Sequence, residues 1–354
     1  MKMKIADYRN GLRLLVVAAG AMLLCGAGFA QMHKTPKFHV EKTWRIGGNG
    51  GWDYLTADPG AHRLYIARGN RVQVIDTDTG KLLGEMGGMG GTHGIVLDTN
   101  GRIGYVSDGG DNVVRAFDRT TLKVTASIPA GKNPDGIVFD PATSRVFAFN
   151  GRSNSATVID TATNRVLRTI PLPGKPEFPV SDGQGNIYDN IESKSEIVRI
   201  DAHSFKVTAT WPLAPCQSPS GLAIDRAHHR LFSVCHNKVM AVVNTNTGHV
   251  VATVPIGNGP DASRYDSQRR LVFSSNGEDG TLTVVKEYSA NRYTPVQTLT
   301  TEKGARTMAI DPSTGTIYLV TAKFGPPPPA TAAHPHPWRT VLPGTFVVLV
   351  VGTK

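Results

Sequence analysis

Seven polar residues recur along the chain at intervals of 40, 42, 42, 43, 41 and 45 residues: Asp53, His93, Asp135, Glu177, Ser220, Asp261 and Arg306. Brought to one point, they would form a charged cluster with several chemical uses. A guanidinium between two carboxylates makes an ion-paired trio, and Arg306 with Asp261 and Asp53 has that composition. One imidazole and two carboxylates, His93, Asp135 and Glu177, are ligands suited to a divalent cation such as Ca, Mn or Zn. The same three could supply a general acid and base. They are also what a hydrated polar ring with no chemistry would contain.

The elements that would gather these residues are repeats. Each of the seven lies five residues before an Asp that ends a short apolar run: Asp58, Asp98, Asp140, Asp182, Asp225, Asp266 and Asp311. An Asp at such a place accepts backbone N–H groups in the following turn, so this regular set is read as structural. The stretch 134–172 displays the whole unit: four runs rich in β-branched and aromatic residues, separated by DPATS, GRSNS and TATN. A four-stranded meander of this kind has two open edges and is marginal alone. Seven copies at a period near 42, with almost no helical periodicity, predict an all-β chain folded as a seven-bladed β-propeller. The last copy lacks a fourth strand, while FHVEKTWRI at 38–46 looks like one without a blade. Pairing that segment with the last blade closes the ring. Consecutive copies then become spatial neighbours, and Arg306 lies between Asp261 and Asp53.

A second ring is expected at the ends of the second strands: Arg68, Asp108, Asn150, Asn190, His236 and Asn276. Arg68 and His236 depart from its pattern and are the candidates there for ligand binding. Beyond the leader the chain keeps two cysteines, Cys216 and Cys235, both placed on the channel face of one blade, and a disulfide between them is expected. The glycine runs 47–53 and 84–94 are followed by strands rather than helices, so they are read as blade connections and not phosphate loops. The largest irregularity is the Pro-rich insertion 324–343, whose four consecutive prolines are followed by His334, His336, Trp338 and Arg339. It replaces a second-to-third connection on the face of the polar ring, as a lid, a partner contact or an inert excursion.

The segments VIDTATNRVLRTIPLPGKP, IYLVTAK and GYVSDGGDN resemble the YVTN-repeat, YncE-like seven-bladed propellers of exported bacterial proteins, over nearly all of residues 38–354. The resemblance implies the architecture and says little about chemistry. It implies that Asn150 and Asn276 belong to turns. Similar propellers hold haem or quinone in some oxidoreductases, but the chain has no C-x-x-C-H, so covalent haem is not expected.

The N-terminus reads differently from the repeats. Lys2, Lys4, Arg9 and Arg13 precede an apolar run and the small residues ending in Ala30, the pattern of a secretory signal peptide over 1–30. A single domain over 31–354, periplasmic or secreted, follows. Without Lys2, Lys4, Arg9, Arg13 and Asp7 the chain carries 34 basic and 27 acidic residues, net +7. No basic run has interleaved aromatics, so nucleic-acid binding is not indicated, and no later stretch would span a bilayer. No G-x-S-x-G elbow is present. Two functions stand side by side: a monomeric module that binds a small molecule or protein through the channel face, and a metal-dependent hydrolase, lactonase or lyase. A cofactor-linked redox partner is a third.

Overall fold

The computed structural model describes residues 36–329 and 339–353. Seven four-stranded antiparallel sheets account for them. Blades one to six run 55–86, 92–129, 134–171, 176–212, 219–255 and 260–300 in uninterrupted strand order. Blade seven is built from Met308–Ile310, Ile317–Thr321, Val347–Thr353 and, on its outside, Phe38–Arg45. That outer strand pairs with Val347–Thr353 from Phe38 opposite Thr353 to Arg45 opposite Val347. The ring is therefore closed by the start of the repeat region, as the missing fourth strand predicts. Phe38 also reaches blade six, where its ring meets Phe273 edge-on at 5.3 Å. Its backbone exchanges hydrogen bonds with Gln297, 2.9 and 2.7 Å long.

The alternation of each strand places one apolar row against each neighbouring blade, and the core is seven inter-blade layers. Phe147, Phe149, Ile187, Ile191 and Val198 fill the layer between blades three and four. The first strand of every blade is innermost and touches the first strands on either side, so the seven first strands surround the axis.

The regular Asp set acts as turn residues in blades two to seven. Asp98, Asp140, Asp182, Asp225, Asp266 and Asp311 each accept at least one backbone N–H from the turn that follows. Asp58 is the exception. Pro59 follows it and begins a 3-10 turn with no side-chain cap, and Asp58 pairs with Arg119 instead.

A second device sets the height of the inner strands. Hydroxyls and amides near the axis bond the carbonyl of a residue on the next blade. Ser107 donates to Asp135 O at 2.5 Å, Asn190 to Ser220 O at 2.7 Å, Ser220 to Pro260 O at 2.9 Å and Thr307 to Asp53 O at 2.8 Å. Ser275 donates likewise to Arg306 O. These bonds tie the backbone of the polar ring together across blade boundaries.

Cys216, in the connection that enters blade five, and Cys235, at the end of that blade's second strand, form a disulfide. The insertion in blade seven begins and ends as a narrow hairpin: Gly325 N bonds Thr340 O and Leu342 N bonds Lys323 O, both at 2.8 Å. His334, His336 and Trp338, like the signal peptide over 1–30, lie outside the described residues. Among the described residues no helix is long and apolar enough to cross a membrane.

Candidate functional site

The start of each first strand carries its polar residue to one end of the channel. Asp53, His93, Asp135, Glu177, Asp261 and Arg306 are all partly exposed there, whereas Ser220 is buried. The Ser220 hydroxyl is committed to Pro260 O and the Gly221 N–H, so it belongs to the scaffold of the mouth.

The charges pair around the ring. Arg306 donates to Asp261, lies 3.5 Å from Asp53 Oδ1, and bonds Trp52 O at 3.1 Å. His93 Nδ1 is 2.6 Å from Asp53 Oδ2 and 3.7 Å from Asp135 Oδ1. One ligand atom from each of Asp53, His93 and Asp135 lies within 4.8 Å of the other two. The set His93, Asp135 and Glu177 drawn from the sequence is not the set that converges. Glu177 turns to Lys175, with Nζ 3.1 Å from Oε2, and Lys175 also holds Glu192. The spacing of the repeats assigned Asp53 wholly to Arg306, but its two oxygens serve both neighbours. The reason is geometric: His93 follows Asp53 around the ring as directly as Arg306 precedes it.

Burial and crowding shift these groups toward their protonated forms. Burial lifts the Asp135 carboxyl to about 6 against the pull of His93, with Asp53 and Asp261 adding to the rise. Glu177 is raised to about 8 by burial and by Asp135, more than Lys175 lowers it. Burial alone would lower the His93 imidazole, but its hydrogen bond to Asp53 and the charge of Asp135 prevail and raise it to about 9. Behind them, in the layer facing blade three, Asp189 is fully buried and neither carboxylate oxygen has a hydrogen-bond partner. Its pKa is raised well above the usual range by burial, then by Glu177 and Asp135. Ser233 and Ser274 occupy the equivalent register in blades five and six.

Immediately beneath the mouth, aromatic side chains cross the channel. Tyr54 of blade one and Phe178 of blade four are not on adjacent blades, yet their rings are 4.8 Å apart. They meet across the axis. Arg264 of blade six reaches the same point, its guanidinium carbon 4.9 Å from the Phe178 ring centre. The tyrosine hydroxyl is pushed well up by burial and by the carboxylates Asp261, Glu177, Asp53 and Asp135 above it.

The fold is shared with proteins of distant sequence. A chain from the hydrazine synthase of Kuenenia stuttgartiensis is similar, with a TM-score of 0.69 over 77% of this chain and 92% of that one, at 17% identity. At that identity the likeness is one of fold alone. No family model matches the chain, and no curated protein matches it.

The second ring differs from its expected form. Strand register places Ile191 and Cys235, not Asn190 and His236, opposite the prolines that begin blades four and five. Asn190 is buried and donates to Ser220 O, while His236 is exposed one residue beyond its strand. Arg68 is fully buried. It donates to the carbonyls of Gly50 and Gly51 at 2.7 Å and of Gly47 and Asn49 at 3.3 Å, and stacks 3.7 Å from the centre of Phe346. Arg68 thus organises the glycine-rich connection into blade one and has no face free for a ligand. Asn150 and Asn276 are buried and each holds two hydroxyls of the following third strand. Asp108 accepts from Gly90 and Gly91 and pairs with Arg115.

Four residues of the channel escaped the sequence reading: Lys175, Tyr54, Phe178 and Arg264. The signal was present in the aligned copies. The position after each ring residue is Gly94, Gly136 or Gly221 in three blades, but Tyr54 and Phe178 in two others. Two residues further on, Arg264 stands where the other copies carry Thr56, Val96, Val138, Val180, Ala223 and Ala309.

Proposed function

We propose that this protein is an exported binding module of the YVTN-repeat, YncE-like kind, a single propeller domain over 31–354, and that the channel mouth is its ligand site. Export is supported by the signal-peptide pattern of residues 1–30 and by the Cys216–Cys235 bond, which an oxidising compartment maintains. The ligand we assign is a divalent cation held by Asp53, His93 and Asp135. The observation that carries this is their convergence from three consecutive blades within 4.8 Å. The imidazole nitrogen facing both carboxylates is the atom a metal would take, displacing its proton. Behind the site, burial holds the carboxyls of Glu177 and Asp189 toward their protonated forms. A bound cation would favour their ionised forms.

Calorimetric titration of metal-free protein with Zn, Mn and Ca at neutral pH tests this reading. One of them should bind with one-to-one stoichiometry, release protons as it does so, and fail to bind the Asp135→Ala and His93→Ala proteins. No stoichiometric binding by any of the three would overturn it. A metal-dependent hydrolase, lactonase or lyase remains the second reading. It is favoured by Asp135 and Glu177, two carboxyls titrating near neutrality on neighbouring blades. It requires metal-dependent turnover of an ester or lactone that Glu177→Gln abolishes while metal binding persists.

A further inference from the structure

The cations of the mouth all have carboxylate partners. Arg306 has Asp261 and Asp53, Lys175 has Glu177 and Glu192, and His93 has Asp53. Arg264 does not. Among the described residues it forms no ion pair, and its one protein hydrogen bond runs from Nη1 to Ser263 O at 2.7 Å. A guanidinium offers five N–H donors, so most of this fork faces the channel unused. Burial lowers its pKa to about 10, and no carboxylate offsets that shift. An unpaired cation inside a channel is costly to keep.

The surroundings say what the fork could take. The Arg264 backbone lies two residues further along its strand than the positions of Tyr54 and Phe178, about 7 Å deeper at the rise of an extended chain, and its guanidinium reaches back to the Phe178 ring. At its own level stand Thr56, Val96, Val138, Val180, Ala223 and Ala309. Thr56 has its hydroxyl committed to Ile95 O. Thr56, Val96, Val138 and Val180 are partly exposed, whereas Tyr54 above them is buried. The aromatic pair therefore divides the channel. Above it is the charged mouth. Below it stand the partly exposed edges of valines that otherwise pack between blades, one aromatic face and a single unpaired cation.

We infer that this lower part of the channel, around Arg264, is a second ligand site, distinct from the mouth, and that it takes a small monocarboxylate with an apolar body. The carboxylate would accept two parallel N–H bonds from Arg264, the geometry a guanidinium matches best. The apolar body would lie against the valines and the Phe178 ring. Inorganic phosphate shares the affinity for the fork but gains nothing from such walls.

Benzoate, hexanoate and inorganic phosphate, each titrated calorimetrically into the whole protein, distinguish the cases. Benzoate or hexanoate should bind once per chain, and Arg264→Gln should weaken binding at least about tenfold, the loss typical of a charge-assisted pair. Arg264→Leu should abolish binding and also raise the thermal midpoint of the ligand-free protein, because an unpaired cation has been removed. Higher stability together with lost binding cannot come from misfolding. The inference is overturned if neither carboxylate binds the parent protein, or if phosphate binds and the carboxylates do not. It is equally overturned if carboxylate binding survives Arg264→Gln and disappears in Lys175→Gln, which would move the site to the mouth.

Discussion

Glu177 concentrates the energetics of the mouth in one side chain. Its carboxyl is raised to about 8, and Asp135 beside it to about 6. A carboxyl with a raised pKa keeps in the folded chain a proton that the unfolded chain releases. Between the unfolded value near 4.5 and the folded value, folding takes up protons, so stability falls as pH rises through that window. His93, raised to about 9, acts in the same direction: its contribution is whole below about 6.5 and is lost as pH passes its folded value. The ligand-free protein should therefore lose stability from this cluster between pH 5 and pH 8. Glu177→Gln should flatten that part of the profile by more than about 1 kcal/mol, since one pKa unit corresponds to about 1.4 kcal/mol. Urea unfolding of both proteins at several pH values measures it, and parallel profiles would contradict it. Saturating divalent cation should oppose the loss, because it replaces the proton on His93 and neutralises the carboxylates.

At the scale of the element, the mouth depends on how closely neighbouring first strands approach. Gly136 follows Asp135, and a Cβ added there would lie 2.3 Å from Glu177 O and 2.6 Å from Pro179 Cδ. The first obstacle is backbone and cannot rotate away. Gly136→Ala should cost about 1–3 kcal/mol and displace Asp135 from Glu177. Gly60, around which nothing lies within 4 Å, provides the control: Gly60→Ala should change stability little. Chemical denaturation of the two variants reads the difference, and equal costs would remove the close-approach explanation. The repeats reveal that a glycine recurs at this position without revealing why. The reason is the neighbouring blade, which local sequence does not contain. Arg68 illustrates the same limit. Its departure from the second-strand pattern was legible, but its burial against Phe346 and the carbonyls of 47–51 depends on a blade closed by distant chain.

At the scale of the molecule, closure rests on Phe38–Arg45. Without it, Val347–Thr353 becomes an open strand edge, and Phe273 loses its edge-on partner. Protein beginning at Ile46 should lose its single cooperative thermal transition and self-associate through the exposed edge. Size-exclusion chromatography and scanning calorimetry report both, and a monomer melting like the parent would show that closure by this strand is dispensable. The disulfide closes a separation of 19 residues between blade five and the connection that enters it, and cannot substitute for that pairing.

What the sequence determined by itself was the architecture: seven copies, their turn residues, the permuted closing strand and the list of polar residues carried to one face. These follow from local alternation and turn chemistry, which a strand records residue by residue. Tertiary structure alone decided which members of that list meet. It joined His93 to Asp53 and Asp135, gave Glu177 to Lys175, removed Ser220 and Arg68 to the scaffold, and brought Tyr54, Phe178 and Arg264 together from three non-adjacent blades. Contacts across the axis depend on side-chain reach and ring diameter, and the distance between two repeats along the chain encodes neither.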